Sequence, residues 1–147
     1  MHLIKLQRLS AHALLPTYAT PGSAGADLYS AESVNIKPGS TVVLTTGWLI
    51  ELPLDCPLAW VTPRSGLAAR YGLTIPNSPG LIDCDYRGEL KVVLQLPCNA
   101  LIDHLHINVG MRIAQLSIPP YTQCKFIETT INSDTQRGRK GFGHSGE

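Results

Sequence analysis

The segment TVVLTTGWLI (41–50) is rich in β-branched and apolar residues and predicts a β-strand. Thirteen glycines and eleven prolines are spread along the chain and cut it into short segments of roughly five to ten residues. This spacing of glycines and prolines is typical of a protein built from many short strands. Four further segments have the same composition and are predicted as strands: LAWVT (58–62), ELKVVLQL (89–96), RIAQLSI (112–118) and QCKFIE (123–128).

Only one segment has a helix-favouring composition. It is SGLAARY (65–71), and Pro63 and Gly72 confine it to about two turns. Helical bundles and repeated βαβ units are therefore excluded. An all-β sandwich, jelly roll or barrel remains.

The length of 147 residues fits one globular domain, and 44% hydrophobic residues suffice for a core. A net charge of +1 gives no overall field that favours nucleic acid or a membrane surface, so we expect neither as a partner. No apolar run approaches the roughly 18 residues that span a bilayer, and the N-terminus does not read as a secretory signal. We therefore expect a cytoplasmic protein, whose four separated cysteines are reduced thiols.

Two segments indicate anion chemistry. In PRSGLAAR (63–70), Ser65 and Gly66 open the short helix beside Arg64, so free backbone N–H groups at the positive end of the helix dipole meet a guanidinium. The alternative is a serine N-cap next to a surface arginine. In RGRKGFGHSG (137–146), glycines and basic residues surround Phe142 and predict either a loop that wraps phosphates while the ring stacks on a base, or a disordered basic tail.

Two other segments carry carboxylates. NSPGLIDCDYRGEL (77–90) predicts a turn-rich hairpin in which strand alternation places Asp83 and Asp85 on one face and Cys84 on the other. The pair is either a general base and metal holder or a set of exposed hairpin charges. In PGSAGADLYS (21–30), small residues permit tight turns before Asp27 enters a strand.

Taken together and in order, these segments resemble the five motifs of the trimeric dUTPase family, from about Pro16 to Gly146. The resemblance implies an all-β, jelly-roll-like β-barrel at 1–132, a C-terminal lid at 133–147 and a homotrimer with shared active sites. It implies hydrolysis of dUTP to dUMP and pyrophosphate with Mg²⁺, which keeps uracil out of DNA and supplies dUMP. The matching segments are AGADLYS (24–30), PRSGLA (63–68), GLIDCDYRGE (80–89), RIAQL (112–116) and RGRKGFGHSG (137–146).

The resemblance also implies the residues that perform the reaction. Asp83 would hold and deprotonate the attacking water, because a carboxylate accepts the proton and directs the oxygen in line with the leaving pyrophosphate. Asp27 would bind Mg²⁺ only through its water shell, since this ion gives up its waters reluctantly. The phosphates would be contacted by Arg64, Ser65, Gly66 and Gln115, and by Arg137, Gly143, His144 and Ser145 of the lid.

The nucleoside would be recognised by the segment around Asp83. Tyr86 would pack on the sugar and exclude a ribose 2′-hydroxyl, and Phe142 of the lid would stack on uracil. The uracil edge would be read by Asn77 and by the backbone of Gly80, Leu81 and Ile82, with Lys91 as a further contact. Two alternatives remain open at this point: a dCTP deaminase and a catalytically silent nucleotide-binding module of the same fold.

Overall fold

A computed structural model describes residues 3–53, 55 and 58–141. Its elements follow the order of the predicted segments, and the helix has the predicted bounds. The elements are β1 (Lys5–Arg8), β2 (Ala26–Tyr29), β3 (Val34–Ile36), β4 (Thr41–Glu51), β5 (Leu58–Pro63), α1 (Ser65–Tyr71), β6 (Gly80–Asp83), β7 (Glu89–Gln95), β8 (Leu105–Ile107) and β9 (Arg112–Ser117).

The strands form three antiparallel sheets, with orders β1-β4-β7, β2-β9-β5-β6 and β3-β8. Their inner faces bury one apolar core, with residues such as Leu28, Leu90 and Ile113 at most 1% exposed. The all-β jelly-roll architecture is confirmed. Within the described part of the chain, the sheets do not join into one closed barrel.

The helix ends as its sequence predicts. Gly72 adopts a left-handed conformation (φ 69°), and its N–H donates to the carbonyl of Ala68 at 2.8 Å, which closes the last turn. Leu67 anchors the helix in the core. Because α1 directly follows β5, its first turn lies at the end of the four-stranded sheet.

The predicted strand at 123–128 is wrong. This segment has no strand pairing among the described residues, and Phe126 and Ile127 are 93% and 72% exposed. A β-prone composition forms a strand only where it pairs with a sheet edge and packs on an apolar surface, and residues 123–128 do neither in the described part of the chain.

The segment 77–90 is not a hairpin. Strand β6 pairs with β5, and β7 pairs with β4 in another sheet. Strand β6 ends at Asp83, so Asp85 lies in the following turn and the prediction of one strand face for both carboxylates is wrong. Cys84 is partly buried and packs against the core.

The described cysteines, Cys84, Cys98 and Cys124, are free thiols, and Cys56 lies outside the described residues. Of the two tryptophans, Trp48 is buried and Trp60 is 36% exposed. In the part of the chain that the structure covers, no helix is long and apolar enough to cross a membrane. The division into 1–132 and 133–147 stays a prediction, as does the cytoplasmic location.

Candidate active site

Three strands of the four-stranded sheet bring Asp27, Gln115 and Thr62 into one row. Asp27 of β2 is opposite Gln115 of β9, which is in turn opposite Thr62 of β5. Directly opposed residues in a sheet direct their side chains to the same face. Gly25 lies close to this row, because a Cβ there would be 3.2 Å from the Cβ of Gln115.

The carboxylate of Asp27 is the centre of a cluster of polar side chains. Asp27 itself is buried, with only 3% of its surface exposed. Its Oδ1 accepts hydrogen bonds from Nε of Arg64 at 3.1 Å and from Nε2 of Gln115 at 3.3 Å. Its Oδ2 accepts one from Nη1 of Arg112 at 3.4 Å. A buried carboxylate is stable only with such charged and hydrogen-bonded partners. We call these four residues the Asp27 cluster.

The Asp27 cluster presents positive charge to solvent. It holds one carboxylate and two guanidinium groups, so one positive charge is in excess. The Arg64 and Arg112 side chains are 25% and 51% exposed, whereas that of Asp27 is 4% exposed. The carboxylate therefore lies beneath and orients two cations that an anion in solvent can reach.

Sequence reasoning missed Arg112, although it lies inside the quoted RIAQL segment. A bulge in the β2–β9 pairing places Arg112 opposite Tyr29, two residues past Asp27. The available signal was one arginine before the helix, one at the start of a predicted strand and one aspartate entering a strand, but their pairing depends on strand order.

The first turn of α1 begins at the Asp27 cluster. Arg64 is the N-cap residue, with extended φ and ψ of −81° and 123° and no side-chain hydrogen bond to the turn. The alternative of a serine N-cap is therefore wrong: Ser65 is the first helical residue. A Cβ on Gly66 would meet nothing within 4 Å, so the backbone of this turn is open to a ligand.

A small cavity of about 50 Å³ lies at the β5–β6 side of the same sheet. The Gly80 backbone forms its wall, and a Cβ there would be 3.3 Å from Nδ2 of Asn77. The cavity thus brings together the five residues that the family resemblance assigns to base recognition. Its lining is Val61, Ile75, Asn77, Gly80, Leu81, Ile82, Lys91 and Val93.

Tyr86 lies in the loop after Asp83, with its ring 39% exposed and its hydroxyl donating to the carbonyl of Glu89 at 2.9 Å. Asp83 itself is exposed at the last position of β6. Asp83 is opposite Leu58, whereas Gln115 is opposite Thr62, four positions along β5. At the usual rise per residue, this separates the two side chains by about 13 Å along the strand.

The lid residues are only partly described. The guanidinium of Arg137 donates to the carbonyls of Lys140 at 3.0 Å and Gly141 at 3.5 Å, within its own segment. Phe142, Gly143, His144 and Ser145 lie outside the described residues. Among the residues that are described, no group of three or more histidine, cysteine or acidic side chains could hold a metal ion.

Comparison with known proteins agrees with this geometry. A family model described as dUTPase matches residues 11–146. The deoxyuridine 5'-triphosphate nucleotidohydrolase of Nautilia profundicola is 43% identical over 144 residues, covering 98% of this chain and 99% of that protein. The protein of the same name from Rickettsia typhi is 47% identical over 144 residues, covering 97% and 93%.

Solved structures with a similar fold include two phage dUTPases. The dUTPase of Staphylococcus bacteriophage 80alpha with dUpNHpp has a TM-score of 0.86 and 26% identity, with 99% of each chain covered. A mutant dUTPase of phage phi11 of S. aureus, described with a structural Mg(II) ion, has a TM-score of 0.77 and 23% identity. It covers 90% of this chain and 99% of its own, and it shows the fold alone.

Proposed function

Since this chain belongs to the dUTPase family and hydrolyses dUTP to dUMP and pyrophosphate, we propose that the Asp27 cluster holds the phosphates and that Asp83 activates the attacking water. The observation that carries this assignment is the buried Asp27 carboxylate, which orients Arg64, Arg112 and Gln115 at the start of α1. The deaminase and silent-module alternatives are not favoured.

The phosphate chain lies, in this proposal, across the first turn of α1. The N–H groups of Ser65 and Gly66 point out of the turn, and the two guanidiniums beside them match a polyanion in charge and in donor geometry. Because Asp27 holds the two guanidinium groups in place before the substrate arrives, few side chains lose conformational freedom when the phosphates bind. Gln115 keeps a second amide hydrogen for a phosphate oxygen or the attacking water.

Uracil enters, in this proposal, the cavity beside Gly80. The absence of a Cβ there lets the backbone approach the base edge, and the amide of Asn77 adds a donor and an acceptor. Cytosine reverses part of the uracil pattern and would leave buried polar groups unpaired, which is the strongest source of selectivity. The Tyr86 ring would cover the sugar on the side where a 2′-hydroxyl would project.

The separation of Asp83 from the Asp27 cluster supports active sites shared between subunits. A side chain about 13 Å along the sheet does not reach a water attacking a phosphate held at that cluster. A second copy of the chain would supply the missing carboxylate. The exposed apolar residues on and beyond this sheet also favour assembly: Trp60, Leu81, Phe126, Ile127 and Ile131. We therefore propose the homotrimer implied by the resemblance.

The donors of the Asp27 cluster fit a magnesium ion that is carried by the triphosphate and held by the protein only through water. Oδ1 of Asp27 accepts two hydrogen bonds, whereas Oδ2 accepts one and would use its remaining lone pair for a water molecule of the ion. When bound, the ion neutralises charge on the phosphates. Arg64 and Arg112 remain the protein's own positive charges at this site.

The activity is tested by measuring pyrophosphate release from dUTP, dCTP, dTTP and UTP in parallel, with magnesium and then with chelator. We expect magnesium-dependent conversion of dUTP alone, with dUMP as the product identified by chromatography. Deamination of dCTP would support the deaminase instead. Binding of dUTP without turnover would support the silent module.

Shared active sites predict complementation between two inactive variants. Arg64→Met removes a cation from the phosphate side, and Asp83→Asn removes the base. In trimers formed at random from equal amounts of the two variants, each site takes Arg64 from one chain and Asp83 from another. Each residue is native in about half of the cases, so about a quarter of the sites are intact. Each variant is refolded alone as the matched control. If the mixture is no more active than its components, both residues act within one chain and the shared site is wrong.

A further inference from the structure

The loop that joins β6 to β7, which we call the 84–88 loop, is held by contacts that the proposed reaction does not use. It begins directly after Asp83 and contains Tyr86. The N–H of Tyr86 donates to the carbonyl of Asp83 at 3.1 Å, and the N–H of Ile50 on β4 donates to the carbonyl of Gly88 at 3.3 Å. The loop is therefore tied at both ends, to β6 and to the neighbouring sheet.

Gly88 provides the space in which the Tyr86 ring lies. A Cβ at position 88 would be 2.4 Å from the Tyr86 hydroxyl oxygen, 2.5 Å from Cζ and 2.8 Å from Cε2. Real Cβ contacts are not that short, so any side chain at 88 would displace the ring. The phenol is also held in this position by its hydrogen bond to the carbonyl of Glu89. Only glycine permits the observed orientation of Tyr86.

Arg87 holds the backbone on both sides of the loop. Its Nη1 donates to the carbonyls of Cys84 and Tyr86, each at 2.8 Å. Its Nε lies 3.9 Å from Oε2 of Glu51, and Oε1 of the same carboxylate accepts a hydrogen bond from Nζ of Lys5 at 2.7 Å. The Lys5 ammonium lowers the pKa of Glu51, so this carboxylate stays ionised beside Arg87 at neutral pH.

We propose that Gly88 and Arg87 are positioning residues for sugar selectivity: Gly88 by leaving room for the Tyr86 ring, and Arg87 by fixing the loop backbone around it. The inference rests on the proposed packing of Tyr86 against the sugar. A ring displaced from this position would no longer collide with a 2′-hydroxyl, so UTP would become a better substrate while uracil recognition at Gly80 would be unchanged.

The test is the ratio of kcat/KM for dUTP to kcat/KM for UTP. In Gly88→Ala we expect this ratio to fall at least tenfold, through a gain with UTP, while kcat for dUTP changes less than threefold. Gly22→Ala is the matched control, because a Cβ at position 22 meets nothing within 4 Å. A destabilised loop without a selectivity role would lower both activities together and leave the ratio unchanged, which would overturn the proposal.

Tyr86→Ala and the double variant separate this inference from the proposed function. If Gly88 acts through Tyr86, the double variant discriminates no worse than Tyr86→Ala alone. If Tyr86→Ala keeps the wild-type ratio, the sugar assignment of Tyr86 is wrong. If the dUTP/UTP ratio of kcat/KM falls in Tyr86→Ala but stays at the wild-type value in Gly88→Ala, only the positioning role of Gly88 is wrong.

Arg87→Met provides a second test that does not depend on how Gly88→Ala folds, since the Arg87 side chain is 48% exposed. It removes both carbonyl contacts and keeps the aliphatic stem. We expect the ratio to fall in the same direction, by about threefold or more. Lys5→Met removes a cation from the same glutamate without touching the loop and should leave the ratio at the wild-type value. An unchanged ratio in Arg87→Met would exclude Arg87 from this role.

Discussion

Asp83→Asn is expected to lower kcat for dUTP by about 10²- to 10⁴-fold, the range that a general base contributes. Asparagine keeps the shape of the side chain but cannot take a proton from water. Asp83 is exposed at the end of β6, so the fold and the proposed trimer should be unaffected. The KM or dissociation constant for dUTP should change little, since neither the Asp27 cluster nor the Gly80 cavity is altered.

The measurement is pyrophosphate release together with binding of dUpNHpp by calorimetry. Asp85→Asn is the matched control: it makes the same chemical change two residues away, in the turn that follows β6. We expect it to keep turnover within a fewfold of wild type. Near-normal turnover in Asp83→Asn would refute the assignment of the base, whatever its binding affinity.

Truncation after Asp134 is expected to lower kcat/KM for dUTP by about 10²-fold, the cost of losing a positioning lid. It removes Arg137 and the glycine-rich segment around Phe142, which the family resemblance implies would close over the nucleotide and exclude water. The fold should survive, because the last strand ends at Ser117 and the described residues from 120 onward are all exposed.

Far-UV circular dichroism, thermal unfolding and size-exclusion chromatography check that the shortened protein folds and assembles. A shorter truncation, after Gly141, keeps Arg137 and Lys140 and removes Phe142. We expect its activity to lie between those of the full chain and the longer truncation. If the protein truncated after Asp134 hydrolyses dUTP at the wild-type rate, the lid assignment is wrong.

Local sequence determined the elements whose ends carry their own signals. Pro63 and Gly72 bound α1, and the structure places it at Ser65–Tyr71. The strand predictions at 41–50 and 89–96 are confirmed. The β-branched residues of the two segments pack in one sheet, where the segments pair with each other. The segment at 123–128 has a similar composition, yet it pairs with no described strand. Composition shows which residues fit the surface of a strand. Strand pairing also needs a neighbouring strand, and the local sequence does not identify that neighbour.

The family resemblance assigned Asn77, Gly80, Leu81 and Ile82 to base recognition, and these residues, which are close along the chain, meet in one cavity. It did not place Arg112 beside Asp27. Arg112 is 85 residues from Asp27, and it reaches that carboxylate only because β9 pairs with β2 after a bulge. A contact at this separation depends on strand order and register, which periodicity within one segment does not contain.

By itself, then, the sequence determined which residues are available: an all-β chain, one short helix after Arg64, and ordered segments that carry the carboxylates, guanidiniums and glycines of the proposed site. Tertiary structure alone decided their relations. It buried Asp27 beneath two arginines, ended β6 at Asp83 and left that carboxylate about 13 Å along the sheet from the row of Gln115. The physical reason is that propensities and caps act over a few neighbouring residues, whereas burial and charge pairing arise only when distant strands align.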